Sequence, residues 1–310
     1  MISNPNRIIH IDIAKGIGMA LIVISHIWVS SSFAETQNFK IYDGIINSFY
    51  VPLFFILSGV FEKDSNDINK FYSRILHLIK LICIFVLFGC ISSGIIHNDW
   101  NPMNFKHQSV VWFIITLLYI TILWRLVRVT RLNILVINLL VIIGGGVLSH
   151  YHKSIFYIGQ ALICFPFYTL GFLLKQYICK SKFRIWRLIA YVSIWTISFL
   201  LFYQPQNLSI NLINQNILTF YITATSGSFM VIETSKIINS KILSRYGLYS
   251  LAPMLIQFPC IWIIAKFILP NSPLQYIYVA IILLIITYLF IPILINRKYN
   301  IFKWRLKFYK

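Results

Sequence analysis

Apolar runs of about 18 to 22 residues recur along this chain from Ile17 to Ile295, each long enough to cross a hydrocarbon layer of roughly 30 Å as a helix. No polar stretch between them is long enough to fold as a soluble domain. With 58% hydrophobic and 11% charged residues, the 310-residue chain reads as one membrane body rather than two soluble domains. The runs predict ten spans near 11–30, 44–61, 76–96, 109–127, 132–149, 156–176, 186–203, 216–235, 246–268 and 274–295. No segment repeats, so the expectation is an all-α integral membrane protein, a single bundle of about ten transmembrane helices and one domain over 1–310.

A net charge of +19 raises the question of nucleic acid, and the placement of the charges answers it. If the N-terminus is cytoplasmic, all but four of the 27 Lys and Arg (Lys40, Lys106, Lys153 and Lys266) fall on the inner side. That asymmetry is what the positive-inside rule demands of an even number of spans, so both termini are expected in the cytoplasm. The basic excess then serves topology and membrane lipids, with no nucleic-acid partner. A multi-pass protein of the plasma (inner) membrane follows, and abundant Ile, Asn and Lys suit a bacterium. Ser31-Ser32-Phe33-Ala34 ends the first run as a signal peptide would, but that run is long for one and carries His26. Removing it would also spoil the even parity. The five cysteines show neither CxxC nor Cys/His spacing and read as small apolar residues; no metal site is expected.

A channel calls for rings of charge, and a secondary transporter for several intramembrane ionisable groups. The eight acids here, Asp12, Glu35, Asp43, Glu62, Asp64, Asp67, Asp99 and Glu233, nearly all belong to loops or span ends. The ionisable group well inside a span is His26, a functional hypothesis by its position. Lys15 precedes it by eleven residues, which on a helix is three turns plus about 20° and a rise of about 16 Å. Both side chains thus share one face, with Asp12 one turn before Lys15 and able to pair with it. Gly16 and Gly18 allow a neighbouring helix to approach. A neutral imidazole in an interior is suited to act as general base toward a hydroxyl; a structural histidine bonded between helices is the alternative. Ser25 faces away from His26, which argues against a Ser–His nucleophile. Glu233 has Lys236 and Arg245 as candidate partners, and His150 with His152 reads as a solvated loop pair.

The Lys15/His26 spacing within Asp12-Ile13-Ala14-Lys15-Gly16-Ile17-Gly18 resembles the opening of membrane acyltransferase family 3, its fucose 4-O-acetylase-like members above all. Phe49-Tyr50-Val51-Pro52-Leu53-Phe54-Phe55-Ile56-Leu57-Ser58-Gly59 is similar to that family's second span, with Tyr50 at the usual histidine. Val111-Trp112-Phe113, Phe165-Pro166-Phe167-Tyr168-Thr169-Leu170-Gly171-Phe172 and Leu243-Ser244-Arg245-Tyr246-Gly247-Leu248-Tyr249-Ser250-Leu251 follow in the family's order. Gln257 occupies the place of a further histidine. The resemblance implies that His26 is catalytic and Lys15 binds acyl-CoA, with Asp12, Tyr50, Trp112 and Gln257 around the substrate cavity. It implies an O-acyltransferase, foremost an O-acetyltransferase. Such an enzyme moves an acyl group from cytoplasmic acyl-CoA, a co-substrate rather than a bound cofactor, to a sugar hydroxyl of an envelope polysaccharide, exopolysaccharide or lipid-linked glycan. The competing class is a glycolipid transporter or flippase, or a family member that has lost activity.

Overall fold

A computed structural model describes residues 7–29, 37–62, 67–101, 110–151, 156–267 and 273–294. The helices among them are α1 (Ile9–Val29), α2 (Gln37–Asn47), α3 (Tyr50–Val60), α4 (Ile68–His97), α5 (Val111–Thr130), α6 (Ile134–His150), α7 (Ile158–Leu173), α8 (Lys175–Lys180), α9 (Ile185–Phe202), α10 (Ile217–Ser235), α11 (Lys241–Leu248), α12 (Leu251–Phe267) and α13 (Pro273–Leu294). Among the described residues, each of the ten apolar segments is mainly helical. Six stretches are long and apolar enough to cross a membrane, seven if α11 and α12 count as one bent span; α6 and α7 are shorter apolar helices. The faces that α6 and α9 turn outward carry Leu139, Leu140, Ile143, Leu200 and Leu201, all exposed, which lipid tolerates and water does not. Among the described residues the protein is all-α apart from one small ribbon, as suits a membrane protein.

Three local features depart from the sequence expectation. The charged stretch 68–75, expected in a loop, is helical, because Asp67 caps α4 by accepting from the Asn69 and Lys70 amides and starts it eight residues before the expected 76. The ninth segment is not one straight span: α11 and α12 meet at Tyr249–Ser250 with a bend of 89°. Ser240 caps α11 through the Leu243 amide, which starts α11 as a helix of its own. The 204–215 loop forms an antiparallel ribbon, β1 (Gln206–Asn207) with β2 (Leu212–Ile213), around a tight turn at Leu208–Ile210. Ser149 fastens it, donating to the Asn211 carbonyl at 2.9 Å and accepting from the Ile213 amide at 3.0 Å. Those bonds satisfy backbone groups that a buried loop would otherwise leave unpaired.

Two glycine-paired crossings set the geometry around the interior. A Cβ on Gly247 would stand 1.9 Å from the Asp12 carbonyl oxygen, and one on Gly16 2.2 Å from that of Leu243, so α1 and α11 touch backbone to backbone. In the same way Gly59 lies against the Tyr168 carbonyl and Gly171 against that of Ile56, each at 1.9 Å from the missing Cβ, joining α3 to α7. Phe55, Phe165, Phe167, Tyr168 and Phe220 fill the core between α3, α7 and α10, while Met19, Val23, Ile27 and Leu283 pack α1 against α13.

Candidate active site

Along α1, Asp12, Lys15, Met19, Ile22 and His26 follow at spacings of three and four, so they form one stripe. Along α3, Tyr50, Phe54, Ser58 and Phe61 do the same. The two stripes face one another across a cavity of about 140 Å³, closed by Trp112 and Phe113 at the start of α5, by Gly247 to Leu251 at the α11–α12 bend, and by Arg74 of α4. Of the residues singled out in the sequence, Asp12, Lys15, His26, Tyr50 and Trp112 therefore line one cavity. Phe113 forms its aromatic wall, edge-on to Phe54 at 6.2 Å and tilted against Phe55 at 4.7 Å.

At one end stands His26, half-buried, with the Phe258 ring 4.7 Å from its own. Gln257, the sixth candidate, is fully buried and outside the cavity lining; its Oε1 lies 3.2 Å from His26 Nδ1. The Gln257 amide donates through Nε2 to the Met254 carbonyl at 3.4 Å, which turns Oε1 toward the imidazole. A carbonyl oxygen can only accept, so the contact is a hydrogen bond in the tautomer with the proton on Nδ1, which leaves the Nε2 lone pair free. Ser25 is buried and donates to the Ile22 carbonyl at 2.9 Å, as expected of a residue facing away from His26.

The other end is cationic. Lys15 holds its Nζ 4.2 Å from the centre of the Phe61 ring, the residue that ends α3. Asp12 accepts from Arg7 Nε at 2.7 Å, and Arg7 also donates to the Ser244 hydroxyl, so this acid ties α1 to α11. Arg74 reaches the cavity from α4, paired with Glu62 and donating to the Tyr168 hydroxyl at 3.1 Å. Glu62 also receives a hydrogen bond from Tyr168, and its carbonyl accepts from Lys175 at 3.0 Å. Arg74 escapes a hydropathy reading because 68–75 is too charged to count as part of a span; the Asp67 cap is the signal that puts it on a helix. Ser58 and Ser250, also in the lining, were missed as well.

The remaining candidates are structural. Glu233, buried, pairs with Lys236 at 3.0 Å and with Arg187 at 3.2 Å, while Arg245 lies over the Tyr288 ring. His150 packs edge-on against Tyr151 at 5.3 Å. The cysteines among the described residues are free, and burial pushes the Cys179 thiol up from its usual range. No group of three or more metal-ligating side chains occurs among the described residues. His152, Lys63, Lys106, Lys153, Glu35, Asp64, Ser31 to Ala34 and the basic tail 297–310 lie outside the described residues, as do the side chains of Lys40 and Lys266.

Apolar spans around a partly open cavity, with Lys15 and Arg74 at one end and the His26 imidazole at the other, define a multi-pass membrane protein with an internal site. A family model for the acyltransferase domain of acyltransferase family 3 matches residues 8–295, and the chain belongs to that family: it is a membrane acyltransferase. No curated protein and no solved structure matched this chain.

Proposed function

We propose that this protein is an O-acyltransferase, foremost an O-acetyltransferase, which transfers the acyl group of cytoplasmic acyl-CoA to a sugar hydroxyl of a cell-envelope polysaccharide, exopolysaccharide or lipid-linked glycan. The observation that carries the reading is the single cavity joining Lys15 and Arg74 to His26. The separation of Lys15 from His26 along α1, about 16 Å, suits a donor that is anionic at one end and reactive at the other. Lys15 and Arg74 meet the phosphates of CoA, and the pantetheine arm extends along the stripe toward His26.

In the reaction, His26 Nε2 takes the proton of the acceptor hydroxyl as its oxygen attacks the thioester carbonyl. The C–S bond then breaks, the ester remains on the sugar, and the CoA sulfur leaves with the proton returned by the imidazolium. Gln257 stabilises that imidazolium by accepting from Nδ1–H throughout. Tyr50 and Trp112 line the acceptor side. In the cell we place the protein in the plasma membrane as one ten-span domain with both termini cytoplasmic, so that the Lys15 end faces the acyl-CoA pool.

Mass spectrometry of surface glycans tests this reading in a deletion strain complemented with wild type or with His26→Ala at equal membrane abundance. Base-labile acyl groups restored by wild type alone support it; restoration by both proteins removes His26 from the mechanism. Identical glycans in deletion and wild-type strains overturn the glycan acceptor.

A further inference from the structure

One ring stands between the two ends of the cavity. Phe54 lies between Tyr50 and Ser58 on the α3 stripe, and a Cβ on Gly18 would come 3.0 Å from its ring, so the ring rests on the α1 backbone. Gly18 is about 5 Å beyond Lys15 along the α1 axis and about 12 Å short of His26. Phe54 also meets Phe113 of α5, edge-on at 6.2 Å, and Phe113 is braced in turn by Phe55 at 4.7 Å. Phe54 and Phe113 thus make one aromatic wall that runs from α1 through α3 to α5, beside the route from Lys15 to His26.

The lining that continues toward His26 is apolar on two further helices. Ile22, buried, stands one turn before His26 on α1. Met254 of α12 accepts from the Gln257 amide at 3.4 Å, and Gln257 Oε1 lies 3.2 Å from His26 Nδ1, so the Met254 side chain enters the cavity one turn from the residue that holds the imidazole. The whole cavity measures about 140 Å³. A cavity of roughly 150 Å³ takes one benzene molecule, and the cysteamine end of CoA carrying an acetyl group has about as many non-hydrogen atoms as benzene.

We propose that Phe54, braced by Phe113 and Gly18, sets the size of the acyl group, and that with Ile22 and Met254 it limits the donor to a short, uncharged acyl-CoA, acetyl-CoA foremost. This rests on the sugar-acylating reading above and deepens it. With the thioester carbonyl at His26, the acyl group packs among these four side chains. Each further methylene then needs room that the aromatic wall occupies, and overpacking is costly because the wall is itself held on both sides. A carboxylate at the end of the acyl group would lose its hydration against apolar side chains, so a succinyl donor is disfavoured for a second reason. Phe54 is thereby a specificity-determining residue, separate from the proton chemistry of His26.

The test uses full-length protein in lipid nanodiscs, with oligosaccharides cut from the unmodified surface polysaccharide of the deletion strain as acceptor and acetyl-, hexanoyl- and succinyl-CoA as donors. Transfer is followed by mass spectrometry of the product and compared as kcat/KM. Wild type is expected to favour acetyl-CoA over each of the other two by about a hundred-fold. Phe54→Leu and then Phe54→Ala are expected to raise the hexanoyl-to-acetyl ratio stepwise, roughly ten-fold in Phe54→Ala, while succinyl-CoA stays a poor donor. Each ratio is taken within one protein, so a partial loss of folded material cancels, and a variant that binds without turnover is read by the same ratio of Kd values from calorimetry. Wild type that uses hexanoyl- or succinyl-CoA as well as acetyl-CoA overturns the proposal. So does a hexanoyl-to-acetyl ratio that keeps its wild-type value in both variants. Wild type that transfers from none of the three donors overturns the sugar-acylating reading, and the size limit with it.

Discussion

At the Lys15 end of the cavity the polar groups are charged and paired: Arg7 with Asp12, and Arg74 with Glu62 and Tyr168. At the His26 end they are neutral, with an imidazole held by an amide and flanked by Phe258. The two ends sit on the same stripe of α1, yet they solve opposite problems. Neighbouring acids let Arg7 and Arg74 rest charged at that end, and Lys15, set over the Phe61 ring, can add charge-assisted bonds to an anionic ligand. Deep in the bundle a charge would be expensive, so the group that handles protons there is one that can rest uncharged. An enzyme that brings a charged donor to an uncharged hydroxyl needs both ends, and each predicts a different kinetic signature.

The largest effect falls on His26. In full-length protein, His26→Ala is expected to lower kcat about a hundred-fold or more while binding of acetyl-CoA, read by calorimetry, stays near wild type. Equal loss of binding would show that the two ends are not separable. Gly247→Ala strikes the hinge that joins them: its Cβ would press on the Asp12 carbonyl at 1.9 Å, so α1 and α11 must move apart. A loss of stability of about 1–3 kcal/mol, measured as a lowered Tm in detergent, is expected, together with weaker activity. An unshifted Tm would mean that this crossing yields more easily than its geometry implies.

Lys15→Ala sharpens the comparison from the other side. Loss of one charge-assisted contact to phosphate predicts a KM for acetyl-CoA raised roughly ten-fold with kcat nearly kept, and Lys15→Arg restores most of it. A fall in kcat alone would move Lys15 from donor binding to chemistry. The smallest effect belongs to Gln257. Gln257→Leu leaves the buried Nδ1–H without its acceptor, and a drop in kcat of several-fold is expected, with no change in acetyl-CoA affinity. Gln257→Glu keeps an acceptor and adds a negative charge that favours the imidazolium, so its rate–pH profile should shift its acidic limb upward. A profile identical to wild type would show that Gln257 does not act through His26.

Much of this arrangement is legible along the chain because helical spacing is a local property. Lys15 and His26 share a face by their separation alone, and the apolar runs locate every long helix. Arg74 was hidden because a single cap at Asp67 decides that a charged stretch is helical, and hydropathy does not register a cap. Gln257 was assigned to the cavity lining by its place in a motif, whereas the structure sets it behind His26. That contact joins residues 231 positions apart, which no local pattern encodes. The bend at Tyr249–Ser250 was missed for a related reason: average hydropathy runs smoothly through a break that packing of Gly247 on Gly16 holds in place.

By itself, then, the sequence determined that the chain is a helical membrane protein, which residues lie on each helix face, and that one imidazole sits within a span. Hydrophobic run length and a period of 3.6 residues are enough for that, since each depends only on near neighbours. Only the tertiary structure decided which faces meet: that the stripes of α1 and α3 line one cavity, that Arg74 joins Lys15 there, and that Gln257 Oε1 lies against His26 Nδ1. Those outcomes rest on glycine contacts and hydrogen bonds between helices distant in sequence, where a shift of one ångström would separate the groups.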